Sequence, residues 1–131
     1  MKKIMFVPIL LALAACSGTK SAINDDKVFF AFDSAEINNA AKKDLVAQSV
    51  YMKKHSDVDV TLEGHCDERG STEYNLALGA LRAGNAAHIM TKEGIEPARI
   101  KTISYGKEHP QYLGTGEEVW SKNRNVTTKT K

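Results

Sequence analysis

Residues 58–94 constrain the fold more than any other stretch. Val58, Val60 and Leu62 alternate with Asp59, Thr61 and Glu63 up to Gly64, the period of a strand buried on one face. A polar loop follows, His65-Cys66-Asp67-Glu68-Arg69-Gly70, with Ser71 or Thr72 placed to cap a helix. Beyond it Leu76, Ala80, Ala83, Ala87 and Met90 fall on one helical stripe, and Gly94 after Lys92-Glu93 supplies a stop. A half-buried strand feeding a long amphipathic helix needs further elements to cover both apolar faces, so the chain must build layers.

The flanking segments supply them. Residues 27–32 (KVFFAF) are rich in β-formers, with Val28, Phe30 and Phe32 alternating to one face, and Asp33-Ser34 offers a turn and a helix cap. Ile37, Ala41, Leu45 and Met52 predict a helix over residues 35–54. Pro97 marks a turn. Residues 100–105 read as a third strand with Ile103 and Tyr105 on one face, residues 106–116 as a loop, and residues 117–122 as a short helix around Trp120. The Thr-rich tail, residues 125–131, is expected as a final edge strand. The order β-α-β-α-β, then a short helix and a weak strand, predicts an α+β two-layer sandwich with helices on one face of a small mixed sheet. Many unrelated functions share such an order, so function must be argued from the site.

The N-terminus reads as an address. Lys2 and Lys3 precede an apolar run over residues 4–13, too short to cross a hydrocarbon core that takes about 20 residues and suited to a secretory signal peptide. Its end, Leu13-Ala14-Ala15-Cys16, resembles the lipobox of bacterial lipoproteins. That resemblance implies a leader over residues 1–15, cleavage before Cys16 and acylation of Cys16. Several acyl chains hold a protein at a membrane where one holds only marginally. Ser17, in place of an inner-membrane retention Asp, points to the outer membrane. Residues 16–26 form the lipidated terminus and a polar linker; ten extended residues reach only about 33–36 Å, so the domain over residues 27–131 is expected to work close to its membrane.

Charge and cysteine count exclude several classes. There are 18 Lys and Arg against 16 Asp and Glu, and loss of Lys2 and Lys3 with the leader makes the side chains neutral. Generic nucleic-acid binding, which needs a basic footprint, is not expected. Two cysteines exclude a multi-disulfide scaffold and a four-cysteine zinc site, and with Cys16 lipidated Cys66 has no partner for a disulfide.

The loop over residues 63–70 is the densest polar cluster, at a strand end and before a helix, where ligand sites concentrate. Three readings stand side by side. Glu63, His65, Cys66 and Asp67 carry metal-ligand chemistry, although adjacent residues on an extended chain point apart. A helix N-terminus, His65 and Arg69 near Cys66 are the surroundings that activate a thiol. The third reading is a binding loop without bond chemistry.

The residues around that loop form a longer pattern. GHCDERGSTEYNLALG at residues 64–79, followed by Arg82-Ala83, resembles the core signature of the OmpA-like peptidoglycan-binding domains. FAFDSAEI at residues 30–37, SYGKEHP at 104–110 and SKNR at 121–124 resemble further blocks of that family, in the same order. With the lipobox, the likeness is to its lipid-anchored members. It implies a non-enzymatic protein, without cofactor or metal, that binds the diaminopimelate residue of the wall's stem peptides. By the same resemblance Asp67 receives the ligand's ammonium and Arg82 its carboxylate, with Phe32, Asp33, Ser34, Asn75, Leu78 and Arg124 at the pocket's edge. A planar guanidinium grips a carboxylate bidentately, so one fixed anion and one Arg read a zwitterion. The resemblance also implies a Tol-system partner, TolB. Asn75, Gly79 and Arg82 share a helix face beside the apolar stripe, and Gly79, costly inside a helix, implies close approach by ligand or backbone.

Overall fold

The computed structural model describes residues 23–131. The leader, Cys16 and the linker up to residue 22 lie outside the described residues. Strand β1 is Lys27–Phe29, helix α1 Asn39–Lys54, strand β2 Val60–His65 and helix α2 Thr72–Lys92. A single 3-10 turn over Pro97–Arg99 leads into strand β3, Ile100–Gly106, followed by helix α3, Glu117–Asn123, and strand β4, Asn125–Thr130. The sheet order is β1-β4-β2-β3. β2 and β3 run parallel across the α2 crossover, and β4 runs antiparallel to β1 and to β2. Val28, Val60, Leu62 and Val126 from the sheet meet Leu45 and Met52 from α1 and Ala83, Ala86 and Met90 from α2 in one buried core. No helix among the described residues is long and apolar enough to cross a membrane.

Both helix signals of the central unit hold. The Ser71 hydroxyl accepts from the Tyr74 N–H at 3.1 Å, and Gly94 at φ +98° follows the last turn of α2. Three expectations are corrected. First, β1 stops at Phe29 because the chain turns out of the sheet, with Asp33 in the left-handed region at φ 54° and the Ser34 N–H donating to the Ala31 carbonyl at 3.3 Å. Val28 and Phe30 are buried, but Phe32 is 58% exposed and does not join the core. Asp33 is not the helix cap. Asn38 is, its Oδ1 accepting from the Ala41 N–H at 2.8 Å, and α1 begins at Asn39 rather than 35.

Second, the buried stripe of α2 is Asn75, Leu78, Gly79, Arg82, Ala83, Ala86 and Met90. Leu76 and Ala80 are exposed and Ala87 is half-buried. The helix is rotated because Gly79 seats against β2 at Gly64. A Cβ at Gly64 lies 1.9 Å from the Gly79 carbonyl oxygen, and one at Gly79 lies 2.3 Å from Ser104 Oγ. Backbone approach, not ligand approach, thus explains Gly79.

Third, β4 is an inner strand, not an edge. Val126 is buried among the core residues, and the Thr128 hydroxyl donates to Gln48 Oε1 at 2.5 Å. Asn125 and Thr127 are satisfied by Gln111 of the long loop, at 2.7 and 3.0 Å. Threonine suits a strand interior when each hydroxyl finds a partner.

Candidate ligand-binding site

The ends of β1 and β2 and the first turns of α2 enclose a cavity of about 380 Å³, lined by Phe32, Asp33, Cys66, Asp67, Arg69, Gly70, Tyr74, Asn75, Leu78 and Arg82. Six of the eight residues expected at a pocket therefore share one hollow. Ser34 and Arg124 do not line it; they hold residues that do.

Arg82 projects from the buried face of α2 and is fully buried. Its Nε donates to the Ser34 carbonyl at 2.8 Å, Nη1 to the His65 carbonyl at 2.9 Å and Nη2 to the Ala31 carbonyl at 3.1 Å. The turn after β1, the end of β2 and α2 are stapled together by this one side chain. Three of five guanidinium N–H groups are used. Of the rest, one sits on each terminal nitrogen, and the Cys66 sulfur lies within reach of the group. Among the described residues no carboxylate is bonded to Arg82. Burial pushes its guanidinium below the usual arginine range, and the Arg124 charge adds to that. Its direct oxygen partners are carbonyl dipoles and the Asp67 charge stands only nearby, weak compensation for a buried cation, so the cavity favours an anion at this end.

Asp67, also buried, carries the opposite charge. Its Oδ1 accepts from the Arg69 backbone N–H at 3.0 Å and Nε at 3.1 Å, and its Oδ2 from Arg69 Nη2 at 2.9 Å. Arg124 Nη1 adds a 3.4 Å contact to Oδ2. Burial pushes the Asp67 carboxyl up, but the arginine bonds outweigh it and hold the group below the ordinary carboxylate range. Arg124 stands behind, donating from Nε to the Phe30 carbonyl at 2.9 Å and from Nη2 to Glu117 Oε1 at 2.6 Å.

The rim is built from the loop and the turn. Asn75 Nδ2 donates to the Arg69 and Ser71 carbonyls at 2.8 and 3.0 Å, which fixes the loop to α2. The Tyr74 hydroxyl donates to Asp33 Oδ1 across the mouth. The Arg69 guanidinium lies 3.9 Å from the Phe32 ring centre and 4.0 Å from that of Trp120. The sequence places Arg69 only beside the Cys66 thiol and assigns no site role to Tyr74, Trp120 and Glu117. Only the Asp67–Arg69 spacing, short enough for an Asx turn, hinted at the first.

The metal and thiol readings of His65-Cys66-Asp67 do not survive the geometry. The His65 ring turns to the opposite side of the sheet, 3.5 Å from Glu63 Oε1 and stacked on Tyr105. The Cys66 thiol donates to the Asn75 carbonyl at 3.3 Å, and burial pushes its pKa up despite nearby Arg82, the reverse of an activated thiol. Asp67 is engaged by arginines. Among the described residues no three His, Cys, Asp or Glu side chains converge as a metal site.

At 42% identity the chain matches the peptidoglycan-associated lipoprotein of Mesorhizobium japonicum, covering 79% of this chain and 61% of the relative. At 36% it matches the protein of that name from Rhizobium meliloti, covering 90% and 81%. The chain thus spans about three fifths of the length of the first of these relatives. The crystal structure of the peptidoglycan-associated lipoprotein from Burkholderia pseudomallei superposes with a TM-score of 0.78 at 34% identity, over 80% of this chain and 89% of that one. The C-terminal domain of Helicobacter pylori MotB superposes at 0.75 with 21% identity, over 81% and 84%, which shows the fold alone. The relatives bear the name of a wall-associated lipoprotein, not that of an enzyme. The OmpA family profile matches residues 29–124, which takes in the β1 turn, Asp67, Arg82 and Arg124, and the chain belongs to that family.

Proposed function

We infer that this protein is a non-enzymatic anchor that binds the diaminopimelate residue of peptidoglycan stem peptides. One observation carries the reading: a buried arginine, without a carboxylate partner among the described residues, lines the same cavity as a buried carboxylate. The side-chain end of diaminopimelate bears an ammonium and a carboxylate on one carbon. Its carboxylate pairs with the Arg82 guanidinium, and its ammonium bonds to Asp67. Phe32 and Leu78 flank the ligand's methylenes, Asp33 and Tyr74 close the mouth, and Asn75 keeps the loop in place. Ser34 and Arg124 act indirectly, the first by holding Arg82 and the second by backing Asp67.

The rest of the reading supplies the other end of the link. The leader over residues 1–15 directs export, acylated Cys16 holds the protein in the outer membrane, and the linker tethers the domain to that membrane from the periplasmic side. Noncovalent binding to the wall then fastens membrane to peptidoglycan, within a Tol system in which TolB is the protein partner. The names of the relatives support this reading.

The test is a calorimetric titration with a stem tripeptide ending in diaminopimelate, set against the same peptide ending in lysine, which keeps the ammonium and lacks the carboxylate. The diaminopimelate peptide binds and the lysine peptide binds at least about tenfold more weakly, the effect of one charge-assisted pair. Equal affinities would contradict the assignment of Arg82.

A further inference from the structure

The proposed ammonium site is already occupied by a cation of the protein itself. Arg69 donates three bonds to Asp67, engaging both carboxylate oxygens, and Arg124 donates a longer one to Oδ2. An ammonium arriving at this carboxylate finds neither oxygen open. The Arg69 side chain is 32% exposed and Asp67 5%, so the guanidinium lies on the solvent side of the carboxylate, where a ligand must pass. It is clasped between Phe32 and Trp120 at 3.9 and 4.0 Å, cation–π contacts that hold it over the mouth. A second acceptor stands beside it: Glu117, 65% exposed and already bonded by Arg124, has its Oε2 4.0 Å from Arg69 Nη2. A rotation of the terminal torsions carries the guanidinium from Asp67 to Glu117 and leaves the Arg69 backbone N–H on Oδ1.

We propose that Arg69 is a built-in competitor for the ligand's ammonium, a specificity-determining plug that must swing from Asp67 to Glu117 before the stem peptide seats. The inference rests on the peptide reading given above. Its consequence is a threshold. A ligand with an ammonium alone exchanges one cation for another at Asp67 and gains little. A ligand that also brings a carboxylate gains the Arg82 guanidinium, which no carboxylate among the described residues pairs in the free protein. The plug therefore makes binding conditional on both charges without touching the carboxylate end. Arg69 acts through Asp67, as a positioning residue, and it is not required for the ligand contacts themselves.

The experiment uses the detergent-solubilised full chain and the diaminopimelate tripeptide. Arg69→Ala is expected to bind about tenfold more tightly than wild type, because displacement of a charge-assisted pair no longer opposes binding. Arg69→Lys falls between, since an ammonium cannot bridge both oxygens. Trp120, the only tryptophan, reports the motion: saturating peptide changes its emission in wild type as the guanidinium leaves its ring, and changes it much less in Arg69→Ala. Arg69→Gln keeps a polar chain at the rim without charge and should follow Arg69→Ala, so the outcome does not depend on truncation. Equal or weaker peptide binding by Arg69→Ala and Arg69→Gln, or an unchanged Trp120 signal in a wild-type chain that binds, overturns the plug and leaves the peptide reading standing. A failure of wild type and both variants to bind the tripeptide overturns the peptide reading, and this inference with it.

Discussion

Arg82→Met tests whether the expected anion receptor is also a structural staple. The substitution keeps most of the aliphatic stem and removes three charge-assisted bonds, to the carbonyls of Ala31, Ser34 and His65. Bonds to charged groups contribute roughly 1.5–3 kcal/mol each, so the gross loss is about 5–9 kcal/mol. Against this, the variant no longer desolvates a guanidinium, a relief of several kcal/mol in a buried setting. Ala31 also keeps the Ser34 N–H as a donor to its carbonyl. The net expectation is a destabilisation of about 2–4 kcal/mol, a large fraction of the roughly 5–15 kcal/mol available to a domain of this size. Urea unfolding followed by far-UV circular dichroism measures it, with the midpoint falling by roughly 1–2 M at an unchanged slope. The variant stays folded in water. A midpoint within experimental error of wild type, or above it, would refute the staple and show that the three carbonyls find other donors without cost. The same result bears on binding studies: a variant of Arg82 that fails to bind must be shown to be folded under the assay conditions before the loss is ascribed to the carboxylate.

Two further outcomes follow from the packing and the charges. Gly64→Ala places a methyl 1.9 Å from the Gly79 carbonyl and should cost at least about 2 kcal/mol by overpacking, whereas Gly84→Ala, with nothing within 4 Å of its new methyl, should stabilise α2 by up to about 1 kcal/mol; urea midpoints of both variants check the contrast, and equal effects would contradict the seating of α2 on β2. Asp67 is depressed below its ordinary 3.8 by arginine bonds that outweigh burial, so its stabilisation is complete above about pH 4 and is lost as pH falls through the lower folded value; unfolding midpoints between pH 5 and pH 2 should fall less steeply in Asp67→Asn than in wild type, and parallel slopes would show that Asp67 does not titrate with folding.

What the sequence made legible was local. Ser71 and Gly94 bounded α2 because capping chemistry acts over one turn, and the alternation up to Gly64 marked β2 for the same reason. The errors arose where burial is polar. Apolar spacing phases the stripe of α2 on Leu76 and Ala80, but the buried face carries Asn75, Gly79 and Arg82, which hydrophobic periodicity cannot see. Residues 125–128 have little apolar signal, and the interior place of β4 depends on Gln48 and Gln111 reaching its hydroxyls and amide from other elements. Phe32 read as core by alternation, yet the left-handed backbone at Asp33 turns the chain out of the sheet. For the site, spacing alone did not pair Asp67 with Arg82, which the family likeness joined. Arg69, Trp120 and Glu117 come from a loop and a helix far apart in the chain, and nothing local in either segment announces that they meet.

The central claim is that one buried guanidinium and one buried carboxylate read the two charges of a single zwitterionic side chain. The most direct measurement is the paired titration of wild type and Asp67→Asn with the diaminopimelate and lysine peptides. The account predicts that wild type prefers the diaminopimelate peptide by about tenfold or more, that Asp67→Asn keeps that preference, because Arg82 is untouched, and that in an Arg69→Ala background, where the carboxylate is free, Asp67→Asn weakens both peptides by a similar factor. Loss of the preference in Asp67→Asn, or affinity in wild type that is indifferent to the carboxylate, would contradict it.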